Sequence, residues 1–244
     1  MPEPVAFYPL NAHYKAAEKE NRQPKGILRN VGITVGPYNK PGGAYMFYGT
    51  HDSYIEFPNN GGLDTRSSIT LMCWVQPGVR GATAPLFMYT YPYGPYGVAL
   101  FIVDDKLWIL IIKHKPFQSY VTAAEVLPVG DWVHVAGSYD HYTGINSLYI
   151  NGHLKASQNI GTGYSIETTS QRVRRGAEDQ LNLSFKGKIA EMKVYDVALN
   201  EAQIQTSIRQ GSCTFIFLEI VLSLPSPVFP LINKTPVIGH FRKR

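Results

Sequence analysis

The chain has 244 residues, enough to build a core that stands without cross-links. With 44% apolar and 17% charged residues it has the composition of a globular protein, which excludes a disordered chain. The net charge is +5, and three of those units come from Lys234, Arg242, Lys243 and Arg244 set against Glu219 near the end. The body therefore has no basic stripe, and nucleic acid is excluded as an expected partner. Sixteen Tyr, 11 Phe and 3 Trp favour pleated, half-buried surfaces and hence β structure. Of the two cysteines, Cys73 lies in an apolar run and reads as a buried thiol; Cys213 is uninformative. Met1-Pro2-Glu3-Pro4 lacks the basic-then-apolar pattern of an export leader, which leaves two readings: an intracellular protein, or a fragment.

Turn-bounded strand signals begin at Val5–Tyr8 and continue through Ala44–Phe47, Tyr54–Phe57, Ile69–Val75, Leu86–Tyr89 and Gly97–Val103. They go on through Lys106–Ile112, Phe117–Ala123, Trp132–Tyr139, Leu148–Asn151, Leu181–Phe185 and Lys188–Tyr195. About a dozen such segments predict a sandwich or barrel. Asp104-Asp105 and Asn151-Gly152 supply tight hairpin turns. Period-two alternation puts Ala190, Met192 and Val194 on a core face, and Glu191 and Lys193 toward solvent. The stretch Ala12–Glu20 has helical composition but no apolar stripe and is read as loop. One helix is predicted: Asn200 caps it, Gln203 completes a capping box, Ile204 and Ile208 form its apolar stripe, and Gly211 ends it.

Beyond residue 211 the character changes. Cys213–Leu224 is apolar but interrupted by Glu219 and followed by Pro225, Pro227 and Pro230, too short and broken for a membrane span. Residues 3–211 are therefore expected to form the domain and 212–244 a tail without assigned role, either a buried extra strand or a disordered extension, with no membrane insertion.

Four pieces carry a family resemblance. Gly43-Ala44-Tyr45-Met46-Phe47-Tyr48-Gly49 with Asp52-Ser53-Tyr54-Ile55-Glu56-Phe57 is the first, and Ser68–Val75 the second. Asp131-Trp132-Val133-His134-Val135-Ala136 ahead of Leu148-Tyr149-Ile150-Asn151-Gly152 is the third. Phe185–Asp196 followed by Ala198-Leu199-Asn200-Glu201 is the fourth. In this order they resemble the laminin-G-like and pentraxin-related jelly rolls of concanavalin A-like type. The resemblance implies an all-β, two-sheet antiparallel jelly-roll sandwich with one short C-terminal helix. It further implies an extracellular recognition module for glycans or for matrix and cell-surface proteins, with an adhesion-type role inside a larger protein.

Enzymes share this architecture, so a glycoside hydrolase or lyase is the alternative. The glucan-cleaving members place carboxylates at i, i+2 and beyond on one strand, a spacing that brings nucleophile and acid together. Here Glu191 is followed by Lys193 and Tyr195, and Asp104-Asp105 and Glu178-Asp179 are adjacent pairs, so no catalytic residue is named and an enzyme is not expected. Many relatives hold calcium. Gly176-Ala177-Glu178-Asp179-Gln180 resembles a stretch that supplies calcium ligands in pentraxins, making Glu178 and Asp179 the candidate ligands, beside Arg174 and Arg175 in what otherwise reads as a solvated acidic turn. The region expected to complete that site, Tyr91–Tyr96, has no carboxylate, so calcium binding is expected to be weak at most. Scattered histidines argue against zinc. Tyr89-Thr90-Tyr91-Pro92-Tyr93-Gly94-Pro95-Tyr96 is a stiff loop rich in rings with polar tips, which makes Tyr91, Tyr93 and Tyr96 candidate ligand contacts. Rings folded back over the sandwich edge are the alternative. Asn182-Leu183-Ser184 and Asn233-Lys234-Thr235 are glycosylation sequons that matter only on export.

Overall fold

The run Ile69–Pro77 is apolar at almost every position, a pattern that suits a strand covered on both faces rather than one. That is where the chain places it. In the computed structural model, which describes residues 1–81, 83–90, 97–112, 118–163, 165–166, 168, 173–178 and 183–211, this strand (β6) lies at the centre of an eight-stranded sheet. The order is β13 (His153–Asn159), β12 (Ile145–Ile150), β11 (Val133–Tyr139), β6, β17 (Lys186–Tyr195), β4 (Ala44–Tyr48) and β3 (Val31–Thr34). β1 (Ala6–Tyr8) also pairs with β17. A seven-stranded sheet faces it, in the order β10 (Gln118–Val126), β9 (Lys106–Ile112), β8 (Ala99–Val103), β7 (Ala84–Tyr89), β14 (Val173–Arg175), β5 (Tyr54–Phe57) and β2 (Ile27–Arg29). A hairpin of β15 (Ala177–Glu178) and β16 (Leu183–Ser184) completes the described strands. Every pairing is antiparallel, the expected jelly-roll sandwich.

Between the sheets, Leu71, Cys73 and Val75 of β6, Val135 of β11 and Leu148 of β12 meet Leu100 of β8, Ile109 of β9 and Phe57 of β5 in one continuous core. The layers pack tightly at Gly137, where an added Cβ would stand 2.6 Å from Ile109 Cδ1 and 3.1 Å from Leu100 Cδ1. Asp104 and Asp105 both have positive φ (48° and 64°), as do Asn151 and Gly152 (51° and 80°), so both predicted tight turns form.

The alternation expected along β17 breaks at Glu191. The register shifts between Ala190 and Met192, and Glu191 takes a positive φ of 44°. Ile189, Met192 and Val194 therefore face the inter-sheet core, while Ala190 joins Trp74 on the opposite face. Lys193 does not reach solvent; it is 8% exposed. Across the same bulge the partner on β17's other side changes from β4 to β1.

That opposite face of the eight-stranded sheet is covered by the predicted helix, α1 (201–211). Ile204 packs with Leu199 on Met72, Ala136, Tyr149 and Tyr195, and Ile208 packs against them. The capping box closes as expected: Gln203 N–H donates to Asn200 Oδ1 (3.0 Å), and Asn200 N–H donates to Gln203 Oε1 (2.9 Å). Residues Met1–Ile208 make one compact unit; the second unit is Arg209–Arg244, of which only the helix end is described. No helix among the described residues is long and apolar enough to cross a membrane.

Candidate functional site

A single transverse row crosses all seven strands of the second sheet. Ile27 pairs with Glu56, Glu56 with Arg174, Arg174 with Met88, Met88 with Ala99, Ala99 with Leu110, and Leu110 with Tyr120. Residues directly opposite one another share a face. This one points away from the inter-sheet core, because Met88, Ala99, Phe101 and Leu110 form a cluster of their own with Val103, Trp108 and Ile112 packed on it.

The two ends of the row differ in chemistry. At the β5–β14 end, Arg174 Nε donates to Glu56 Oε2 at 2.8 Å, and the guanidinium lies 4.4 Å from the centroid of the Tyr54 ring. Arg174 is nearly buried there, so this is a fixed ion pair stacked on an aromatic ring rather than a solvated cation. At the β9–β10 end, Trp108 and Tyr120 stack with centroids 4.7 Å apart and planes 20° apart. Tyr120 is 54% exposed, while the rest of the cluster is half-buried or buried. The indole Nε1 of Trp108 is buried without a hydrogen-bond partner among the described residues. Leu183 of the β15–β16 hairpin packs on the apolar part of the face.

A flat aromatic ring, rigidly backed by a second ring and set in an apolar surface, offers a platform for stacking. Binding sites for small organic ligands combine these features: apolar and aromatic lining with a few polar groups that fix orientation. Sequence reasoning missed this pair. Trp108 and Tyr120 sit in two separate strand segments, and only the β9–β10 register, with Trp108 opposite Thr122 and Leu110 opposite Tyr120, makes them neighbours.

The candidates taken from the sequence fare differently. Tyr91, Tyr93 and Tyr96 lie outside the described residues, as does Asp179; Glu178 is placed in β15 by its backbone alone. Tyr89, expected to belong to the strand, is buried in β7 and donates its hydroxyl to Leu63 O at 2.8 Å. In sequence, the segment that carries Tyr91, Tyr93 and Tyr96 joins β7 to β8, two strands of the candidate face. Of the two arginines beside the acidic turn, Arg174 pairs with Glu56 and Arg175 is fully buried. No group of three or more His, Cys, Asp or Glu suited to a metal occurs among the described residues. Cys73 is a free, buried thiol, as expected.

A family model for the concanavalin A-like lectin/glucanases superfamily matches residues 49–205. Among curated proteins, the pentraxin-related protein PTX3 of Mus musculus is 27% identical over 139 residues, covering 52% of this chain and 35% of that protein. The chain thus matches only about a third of the length of that relative. Among solved structures, domain 4 of AbnA, an extracellular arabinanase from Geobacillus stearothermophilus, in complex with arabinotriose, has a TM-score of 0.61 at 21% identity, covering 84% of this chain and 97% of that one. The botulinum neurotoxin serotype D ligand-binding domain in complex with N-acetylneuraminic acid has a TM-score of 0.68 at 12% identity, covering 85% of this chain and 50% of that one. At such identities these likenesses establish the fold alone.

Proposed function

This chain belongs to the concanavalin A-like lectin/glucanase superfamily, and from that premise we propose that it is an extracellular recognition module that binds carbohydrate on the outer face of its seven-stranded sheet. The observation that carries the reading is the half-exposed Tyr120 ring held parallel to Trp108. A sugar ring has an apolar C–H face and a polar rim. An aromatic plane supported from behind receives the first without losing side-chain entropy, because its rotamer is already fixed. The solved relatives bound to arabinotriose and to N-acetylneuraminic acid support the choice of ligand class.

Binding rather than cleavage is part of the proposal. Glu56 on this face is committed to Arg174, and a retaining mechanism would need a second carboxylate about 5 Å away. The decisive experiment is a glycan array probed with the full chain and with Tyr120→Ala, each with and without calcium, followed by a reducing-sugar assay on any hit. Binding that the substitution removes, with no sugar released, supports the reading. Binding indifferent to Tyr120→Ala moves the site elsewhere, and sugar release makes the chain an enzyme.

A further inference from the structure

The interior of the sandwich holds a buried arginine that carbohydrate recognition does not use. Along β14, Val173 belongs to the inter-sheet core and Arg174 turns outward to Glu56, so period-two geometry sends Arg175 inward again. It is 0% exposed, and its Cα partner across β5 is Ile55, a core residue. Of its three nitrogens, neither Nε nor Nη1 nor Nη2 has a hydrogen-bond partner among the described residues. The polar group beside it is the thiol of Cys73, from the middle of β6 on the opposite sheet, set between Val135 and Met192.

A guanidinium does not give up its proton inside a folded protein. A full charge in an apolar interior is strongly destabilising unless an opposite charge or a set of acceptors meets it. The Cys73 thiol does not supply that charge: burial pushes it up, and the nearby guanidinium only partly offsets this. As S–H it is one more donor. The guanidinium of Arg175 and the thiol of Cys73 therefore meet from two sheets inside the apolar core, where the weakly accepting sulfur is a poor match for a full positive charge and the Arg175 nitrogens have no oxygen acceptor among the described residues.

We propose that Arg175, with the Cys73 thiol facing it, holds a small monovalent anion of the chloride type between the two sheets. The apolar walls favour a weakly hydrated halide over fluoride, because stripping water from the smaller ion is costlier. An anion that binds the folded chain and not the unfolded one raises stability with its concentration.

The test is the thermal midpoint of the full chain at constant ionic strength, with fluoride replaced stepwise by chloride or bromide. The wild type gains several degrees, more for bromide than for chloride, and Arg175→Met, which removes the charge, shows a flat response. A parallel slope in both proteins reports a general salt effect and overturns the proposal. So does a wild-type midpoint indifferent to halide, the result expected if a carboxylate or the Cys73 thiolate neutralises Arg175. Crystals soaked in bromide give an independent reading: an anomalous peak against the guanidinium supports the site, and its absence there overturns it.

Discussion

The ammonium of Lys193 lies 3.0 Å from the hydroxyl of Ser207 and 3.2 Å from the Ser207 carbonyl, buried between β17 and α1. The Tyr195 hydroxyl reaches the same Ser207 oxygen at 3.1 Å, and the ammonium also lies 4.9 Å from the centroid of the Phe7 ring. One buried cation thereby ties the helix to the sheet it covers. Removing the hydroxyl leaves both the ammonium and the tyrosine short of a partner in a dry site, so Ser207→Ala should cost about 1–3 kcal/mol in a urea titration.

The same cation makes stability depend on alkaline pH. Burial holds the Lys193 ammonium below the ordinary lysine value of 10.5, with Glu191 opposing the shift. Between the lowered value and the ordinary one, the unfolded chain carries a proton that the folded chain has lost. Stability therefore rises with pH across that window. Urea midpoints followed from neutral pH to about pH 9, below the range where the buried tyrosines titrate on unfolding, should climb in the wild type relative to Lys193→Met.

His134 acts at the acid end. It stands opposite Trp74 on β6, ring centroids 5.3 Å apart and nearly perpendicular, with its Nδ1 buried and unpartnered among the described residues. Burial, with the Lys193 charge adding to it, lowers its pKa from 6.5 to about 3. From pH 6.5 down to about 3 the unfolded chain takes up a proton that the folded chain refuses, so this contribution is fully present above 6.5 and lost as pH falls. His134→Phe should flatten the decline in urea midpoint between neutral pH and pH 4; an equally steep decline in the variant assigns the acid sensitivity to carboxylates.

What could be read in the sequence was local. The capping box Asn200–Gln203, the hairpin turns Asp104-Asp105 and Asn151-Gly152, and the buried thiol Cys73 each depend on a few neighbouring residues. Short or polar strands escaped. β13 is almost entirely exposed at the sheet edge and shows no apolar alternation, and β2 and β3 are three and four residues long. The bulge at Glu191 also escaped, since a single inserted residue inverts a strand's faces without altering its composition. Ala12–Glu20 was legible as loop, and its cause lies in Glu18, whose buried carboxylate accepts from the backbone N–H groups of Phe7, Glu20 and Arg22 at 2.8–3.0 Å. The stacked rings and the orphan Arg175 depend on register and on which face a strand turns inward, and sequence alone gives neither.

The ion pair at the far end of the candidate face is a matter of stability before recognition. Glu56 is one-fifth exposed and Arg174 almost buried, so the charge left behind by Glu56→Gln stays largely out of water. That substitution should destabilise by about 1–3 kcal/mol, and Arg174→Met together with Glu56→Leu should recover most of the loss, because an apolar pair leaves no charge unmatched. A double-mutant cycle in urea gives both numbers.

The last prediction asks how far a ligand's footprint extends. Adjacent strands lie about 4.8 Å apart, which sets Tyr120 about 10 Å from Ala99 and about 14 Å from Met88 along the row. Tyr91 and Tyr93 fall within the segment that joins the β7 and β8 strands carrying Met88 and Ala99. A saccharide of two or three rings lying on the face would touch Tyr120 at one end and Ala99 or Met88 at the other. Aromatic anchors within a binding surface typically cost about 2 kcal/mol or more when truncated, and peripheral ones less than about 1. Tyr120→Ala and the double substitution Tyr91→Ala/Tyr93→Ala should each weaken binding of an oligosaccharide by that larger amount with little change in thermal midpoint, whereas a monosaccharide should respond to Tyr120→Ala alone. Tyr89→Phe is the control: it removes the buried hydrogen bond to Leu63 O and should lower stability by about 1 kcal/mol without touching affinity. If the double substitution lowers the midpoint and leaves affinity intact, those rings cover the sandwich edge and the footprint ends at Ala99.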